Sequence, residues 1–433
     1  MISRRNFLGV SSLAIAGTAC RASGASQSGS SDAADSLPPS LAALTPMKDG
    51  VVPISTDERR GRLERARRLM TANSLDAIVL TGGTSLRYFT GLEWWLSERL
   101  LAVVVPAKGA AFLVTPRFEE ERAMEQVREG PLGEGTEVRA WEEDEDPYAL
   151  VAAGLRDRSL ASGRIGVEET VRFVYSDGIA ASAPAARFAS ATPVTAGCRG
   201  VKDEHELALM RHASKVTLAA YEAAWKALEE GMSQDDFAGL VAKAHSQLGW
   251  SGSAGVQVGQ YSALPHGSQT PQIVREGTIL LIDGGCDVEG YKSDLSRTFV
   301  LGTPSQRMKD VFEIEYQAQS AALAAARPGI PCEAVDAAAR KVIVDAGFGP
   351  GYKFFSHRVG HGIGMDGHEW PYLVKGNQTL LEPGMTFSDE PGIYIPGEFG
   401  VRLEDDMVIT EAGAELFTPQ SQSLENPFGS TAA

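Results

Sequence analysis

The chain has 433 residues, 43% of them apolar, with a formal net charge of −16, so it is long enough for two domains of roughly 100–200 residues each, with sizeable cores. So acidic a body disfavours nucleic acid and anionic membrane surfaces as partners. Beyond the N-terminus no stretch holds the ~18 consecutive apolar residues of a membrane span.

The first segment, MISRRNFLGVSSLAIAGTAC over residues 1–20, sets Arg4 and Arg5 before a weakly apolar run. That is the twin-arginine export pattern, and it predicts an exported or periplasmic protein carried already folded by the twin-arginine machinery. Cys20 is a candidate lipid anchor, with Gly17 an unfavourable residue three places before it. Residues 21–50, rich in Ser, Ala and Pro, read as a disordered tether. Residues 51–196 then alternate helix and strand. Thr56 or Asp57 is expected to cap a helix whose Leu63, Ala66, Leu69 and Met70 share a face. LDAIVL (75–80), RLLAVVVP (99–106) and AAFLV (110–114) read as strands, the last two joined by a Pro-Ala-Lys-Gly turn. FEEERAMEQV (118–127) and 147–158 read as helices and RIGVE (164–168) as another strand, giving a three-layer α/β N-terminal domain.

A second domain is expected over 197–415, followed by a tail at 416–433. Residues 203–230 predict a long amphipathic helix and 233–248 another, capped by Ser233. Strands follow at 254–260, 278–283 and 295–301, helices at about 305–326 and 331–346, then short strands and turns to 411. Strand runs separated by helix pairs indicate α+β with a curved antiparallel sheet. Cys198, Cys286 and Cys332 fit no metal spacing and make no full disulfide framework, so they read as small buried residues.

Charges interrupt the apolar strands of this half repeatedly. Asp283 ends a run in LLIDGGCDVEGYKSDLSRTF, with Asp294 eleven positions on; Glu390 lies in FSDEPGIY; Glu404 lies in VRLEDDMVIT. A carboxylate inside a buried strand is expensive unless it is paired or holds a cation. Each acid alone reads as a salt-bridge or turn residue. SHRVGHGIGMDGHEWP, residues 356–371, changes the balance, because it gathers three of the seven histidines of the chain. Four carboxylates and one imidazole satisfy two divalent ions when two of the carboxylates bridge them, and such ions, roughly 3.5–4 Å apart, share and activate one hydroxide.

Asp283, Asp294, His361, Glu390 and Glu404, with GHGIG, EPG and RLED around the last three, resemble the dinuclear pita-bread (M24) metallopeptidases. That group includes methionine aminopeptidase, proline-specific aminopeptidase and prolidase, and shares its fold with creatinase. SLRYFTG and LLAVVVPAKGAAFLV are similar to the creatinase-type N-terminal domain. The resemblance implies that Asp294 and Glu404 bridge the ions, Asp283 holds one, and His361 with Glu390 holds the other. Oxygen-rich ligation with one nitrogen suits Mn²⁺ or Co²⁺ and permits Zn²⁺ or Fe²⁺; the resemblance favours manganese. It also implies catalytic roles for His266, His357, His368, Glu390 and Arg402, a proline-containing peptide as substrate, and a homo-oligomer. Glycines 360, 362 and 364 are expected to let backbone approach the ions and neighbouring strands.

An Xaa-Pro aminopeptidase is the favoured reading and an Xaa-Pro dipeptidase the alternative. Dipeptidases of this group carry an arginine shortly before the EPG glutamate to read the free carboxylate, and between Glu369 and Asp389 this chain offers only Lys375. A metal-dependent hydrolase or lyase of a non-peptide metabolite and a metal-free binding protein are the rival classes; both go with an altered ligand set, and this one is complete. Trp94 and Trp95 are candidate walls of the pocket or ordinary core.

Overall fold

The computed structural model describes residues 37–429; the twin-arginine pattern, Cys20 and residues 21–36 of the expected tether lie outside that range. The rest of the tether is ordered. Pro39–Ala42 forms a helical turn with Leu41 buried, Ser40 Oγ donates to the Ala223 carbonyl at 2.8 Å, and the Met47 N–H and carbonyl bond to Leu248 and Trp250. One buried leucine and a few backbone hydrogen bonds hold a stretch whose composition alone reads as a linker.

In the N-terminal half, β1 (Ala77–Thr81), β2 (Ala102–Pro106), β3 (Phe112–Pro116), β4 (Glu137–Trp141), β5 (Arg164–Val167) and β6 (Arg187–Ser190) form one sheet in the order β4-β3-β2-β1-β5-β6. β1–β3 are antiparallel to one another and the outer pairs parallel. Every residue of β1, β2 and β3 is buried, which is why these strands appear as unbroken apolar runs rather than alternating ones. The first long helix, Thr56–Ala72, is capped by Ser55, not by Thr56 or Asp57. Ser55 and Glu58 satisfy each other's backbone N–H groups reciprocally, and that pairing fixes the start one residue earlier. Helices Thr84–Thr90, Phe173–Ser182 and Thr192–Arg199 escape a periodicity reading because each has at most ten residues.

The C-terminal half opens with Glu204–Trp225, capped by Asp203, and Gln234–Gln247, capped by Ser233 as expected. β7 (Ser251–Val258), β8 (Ile279–Val288), β9 (Tyr291–Lys292) and β10 (Leu295–Val300) make an antiparallel sheet. Helices Gln306–Ala325 and Cys332–Asp345 precede the remaining strands. β11 (Gly360–Gly362), β12 (Glu369–Leu373), β13 (Thr386–Asp389), β16 (Asp405–Ile409) and β17 (Ala414–Leu416) form a second sheet in the order β12-β11-β13-β16-β17, and β14 (Gly392–Ile395) with β15 (Phe399–Arg402) form a hairpin. A reciprocal backbone bridge between Ser296 and Glu404 ties β10 to the segment entering β16. The two sheets thereby become one curved surface, the α+β pita-bread architecture.

The expected tail belongs to this half over its described length. Thr418 bonds to the Asp405 carboxylate, the Pro419 carbonyl accepts from Arg297, and Leu424 is buried in the core. Arg297 and Asp405 form a fully buried ion pair at 2.7 Å, and such a pair is tolerable only where further hydrogen bonds satisfy both partners. Cys198, Cys286 and Cys332 are free and buried.

Candidate metal centre

Three strands and the flanks of three others deliver the polar residues to one place. Asp283 stands on β8, and Asp294 immediately precedes β10. His361 is the middle residue of β11, Glu390 follows β13, Arg402 ends β15, and Glu404 precedes β16. Close packing of β11 demands its glycines: a Cβ on Gly360 would fall 2.0 Å from the Ser388 carbonyl oxygen, and one on Gly362 would fall 2.6 Å from that of Glu369. It is neighbouring backbone that excludes a side chain there.

The nine predicted residues, His266, Asp283, Asp294, His357, His361, His368, Glu390, Arg402 and Glu404, all line one cavity of about 450 Å³, joined by Arg358 and Val374. Among them, Asp283, Asp294 and Glu404 can present one oxygen each with all three within 4.8 Å of one another, and His361, Glu390 and Glu404 can do the same. Glu404 belongs to both trios. His361 Nε2 lies 3.1 Å from Glu390 and 3.9 Å from Asp294, so the two trios abut through Asp294 as well. A third trio, Asp294, His361 and His368, brings His368 nearer to ligand distance than the sequence suggests.

The electrostatics of the protein alone are unfavourable. Burial first, and then the neighbouring carboxylates, push Asp294 and Glu404 well above the ordinary carboxyl range. Burial opposes protonation of His361, but its hydrogen bond to Glu390 and the charges of Glu390 and Asp294 outweigh that and raise it. Glu390 is itself held down at about 2: burial works to raise it, and the His361 hydrogen bond with the charges of His361 and Arg402 overcomes it. Among the described residues, Arg402 is the one guanidinium paired inside the cluster, 2.7 Å from Asp283. A single cation cannot neutralise four carboxylates, whereas two divalent ions can. The donor set fits them: hard oxygens and one imidazole whose Nδ1 faces the Gly362 carbonyl at 3.1 Å, so that the proton belongs there and Nε2 is left free to ligate.

That electrostatic balance has a pH signature. Without ions, Asp294 and Glu404 keep protons in the folded protein at pH values where the unfolded chain has lost them. Their stabilising contribution is therefore complete below the unfolded carboxyl range and is lost as pH rises through the raised folded values. Divalent ions held by these donors would take the place of those protons. The gap in Tm between ion-loaded and chelator-treated protein is therefore expected to widen from pH 5 to pH 8, with proton release on loading measurable by calorimetry in buffers of different ionisation heat. A gap independent of pH would contradict the protonated cage.

Residues missed by sequence reading complete the site. The Ser296 hydroxyl lies 2.7 Å from Glu404 and 3.0 Å from Asp283, and accepts from Arg402 Nε at 2.9 Å. The Tyr394 hydroxyl accepts from Arg402 at 2.9 Å and reaches His357 Nε2 at 2.7 Å, while His357 Nδ1 donates to the Arg358 carbonyl at 2.8 Å. Both nitrogens of His357 are thus spent inside the protein. Burial lowers its pKa, and it serves as a fixed neutral wall. Tyr394 had one usable signal, its place four residues after Glu390 in EPGIY; Ser296 had none.

His368 is different. It stacks on His361 with ring centroids 3.7 Å apart, and burial followed by the charge of His361 lowers it to about 4. Neither His368 nor His266 bonds to another described residue. The loop carrying His368 is braced across the halves: Arg199 holds both Asp366 and Glu369 at 2.5 Å, and Lys202 also holds Glu369. Trp94 and Trp95 stack on each other with Arg122 over both, and neither lines the cavity. Lys375 does not line it either and is exposed.

Residues 208–411 match the family model of metallopeptidase family M24, and residues 62–201 match that of the creatinase/prolidase N-terminal domain. The chain is 33% identical over 371 residues to an Xaa-Pro dipeptidase of Lactobacillus delbrueckii subsp. lactis, covering 84% of this chain and 98% of that one. It is 38% identical over 358 residues to a protein of Mycobacterium tuberculosis named probable dipeptidase PepE, covering 81% and 93%. Among solved structures, dipeptidase PepE of Mycobacterium ulcerans superposes with a TM-score of 0.80 at 34% identity, covering 86% of this chain and 99% of that one.

Proposed function

Because the chain belongs to metallopeptidase family M24 and carries a creatinase/prolidase N-terminal domain, we propose that it is an Xaa-Pro dipeptidase, cutting the bond before proline in a two-residue peptide. The observation that carries the reading is the convergence of all nine residues on one cavity holding two carboxylate-rich trios. The lean from sequence towards an aminopeptidase gives way to its alternative, since the relatives reported above, at 33% to 38% identity, are named dipeptidases. The metabolite-hydrolase and metal-free classes have no observation in their favour.

In this reading Asp283, Asp294, His361, Glu390 and Glu404 would together hold two divalent ions, with Glu404 common to both donor trios. When bound, the ions supply Lewis-acid polarisation of the scissile carbonyl and a water acidified enough to attack at neutral pH. Everything else falls to the chain. Glu390 carries a proton towards the leaving proline nitrogen. His368 and His266, with no hydrogen-bond partners among the described residues, donate to the developing oxyanion. The Arg402–Tyr394–His357 chain fixes the wall against which proline lies. An Xaa-Pro bond offers no N–H and a locked φ, so a pocket must grip the ring rather than the backbone. The oxygen-rich donors support manganese as the native ion, and the twin-arginine pattern supports action outside the cytoplasm, as a homo-oligomer in keeping with the family resemblance.

With Mn²⁺ added, Ala-Pro is expected to be cleaved at least about tenfold faster, by kcat/KM, than Ala-Pro-Ala, and Ala-Ala to be a poor substrate, with release of free amino acids followed by chromatography. Preference for Ala-Pro-Ala would restore the aminopeptidase, and no turnover of either proline peptide would discard the peptidase reading.

A further inference from the structure

A dipeptidase must bind the free carboxylate of its substrate, and the segment where the sequence suggests looking contains only exposed Lys375. The cavity nevertheless has a second guanidinium. Arg358 lines it beside Val374 and the histidines, and its charge is close enough to His368 to contribute to that ring's lowered pKa, behind burial and His361. The other arginine, Arg402, has its donors committed to Asp283, Tyr394, Ser296 and the Pro265 carbonyl. Arg358 makes no ion pair and no side-chain hydrogen bond with any described residue. Its guanidinium carbon lies over the Tyr372 ring, 4.0 Å from the centroid. Stacking of this kind orients the planar fork while leaving its in-plane N–H groups free.

We propose that Arg358 is the specificity residue that receives the C-terminal carboxylate of the dipeptide, through bidentate hydrogen bonds from its fork, with Tyr372 as its platform and Val374 against the proline ring. The assignment rests on the dipeptidase reading and deepens it. An α-carboxylate is favoured over an acidic side chain because the guanidinium belongs to the same cavity as the catalytic groups, so that only a short reach separates it from the cleaved bond. The backbone of the same residue accepts from His357, so the carboxylate reader and the rigid wall are set by one turn of chain.

The test pairs a change in the protein with a change in the ligand. Ala-Pro and Ala-Pro-amide are compared on the wild type, Arg358→Met, which keeps the stem on Tyr372, and Arg358→Lys, which keeps the charge. Arg358→Met is expected to lower kcat/KM for Ala-Pro about 100-fold while changing that for the amide less than about threefold, with Arg358→Lys in between. Calorimetric binding of L-proline against L-prolinamide gives a second readout without turnover: the wild type prefers proline, and Arg358→Met loses that preference. Equal losses on acid and amide, or an undiminished preference for proline in Arg358→Met, would overturn the assignment. If the wild type cleaves neither peptide, the dipeptidase reading has failed, and the proline-binding comparison still decides whether Arg358 reads a carboxylate.

Discussion

Glu404→Gln is expected to abolish loading of both ions and to lower kcat/KM on Ala-Pro by at least about 1,000-fold, the scale set by losing Lewis-acid polarisation and an acidified water together. The reason is positional. Glu404 is the residue common to both ligand trios, so one amide removes an anionic donor from each ion. The Ser296 hydroxyl, 2.7 Å from Glu404, tolerates an amide oxygen, and the substitution removes a raised-pKa acid rather than a stabilising charge. The folded ion-free protein is therefore expected to survive, with a Tm no lower than that of chelator-treated wild type. Elemental analysis after saturation and desalting reads the stoichiometry, with circular dichroism as the folding control. Two retained ions with activity within tenfold of wild type would mean that Glu404 does not bridge the centre, and the cage would have to be redrawn around Asp294.

His368→Ala is expected to lower kcat on Ala-Pro by roughly 100- to 1,000-fold, the usual loss when one oxyanion donor is deleted, with KM nearly unchanged and both ions kept. This histidine sits over the imidazole of His361 with no partner among the described residues, so its N–H is available when the carbonyl oxygen gains charge. Its pKa near 4 makes it neutral across pH 5–8. The variant should therefore shift kcat uniformly over that range and leave the shape of the pH profile alone. Loss of an ion in the variant would show instead that the third trio, with Asp294 and His361, is the working one and that His368 is a ligand.

How much of this was legible beforehand depends on whether a residue's role leaves a local trace. Asp283 and Glu404 are legible because a charge inside an apolar strand costs free energy that something must offset. His361 and His368 stand out because histidines are scarce in this chain and crowded there. The long helices at 204–225 and 306–325 carry their period in sequence, whereas the turn at 39–42 and the helix at 84–90 are too short to do so. Ser296, Tyr394 and Arg199 are ordinary residue types in ordinary settings. Their work consists of contacts with positions such as Glu404, His357 and Glu369, more than a hundred residues away for Ser296 and Arg199.

The carboxylate reader shows the division most sharply. Sequence by itself determined the donor types of the cavity and the two-part α/β and α+β plan, because each of these is written in residue type and spacing along one strand or helix. Only the tertiary structure decided which cation is left over inside the cavity. Lys375 sits in the expected stretch of chain but faces solvent, while Arg358 comes from another stretch, lies on Tyr372 and has no carboxylate partner among the described residues. Whether a charge is spent or spare is a property of everything packed around it, and that is settled by folding rather than by local order along the chain.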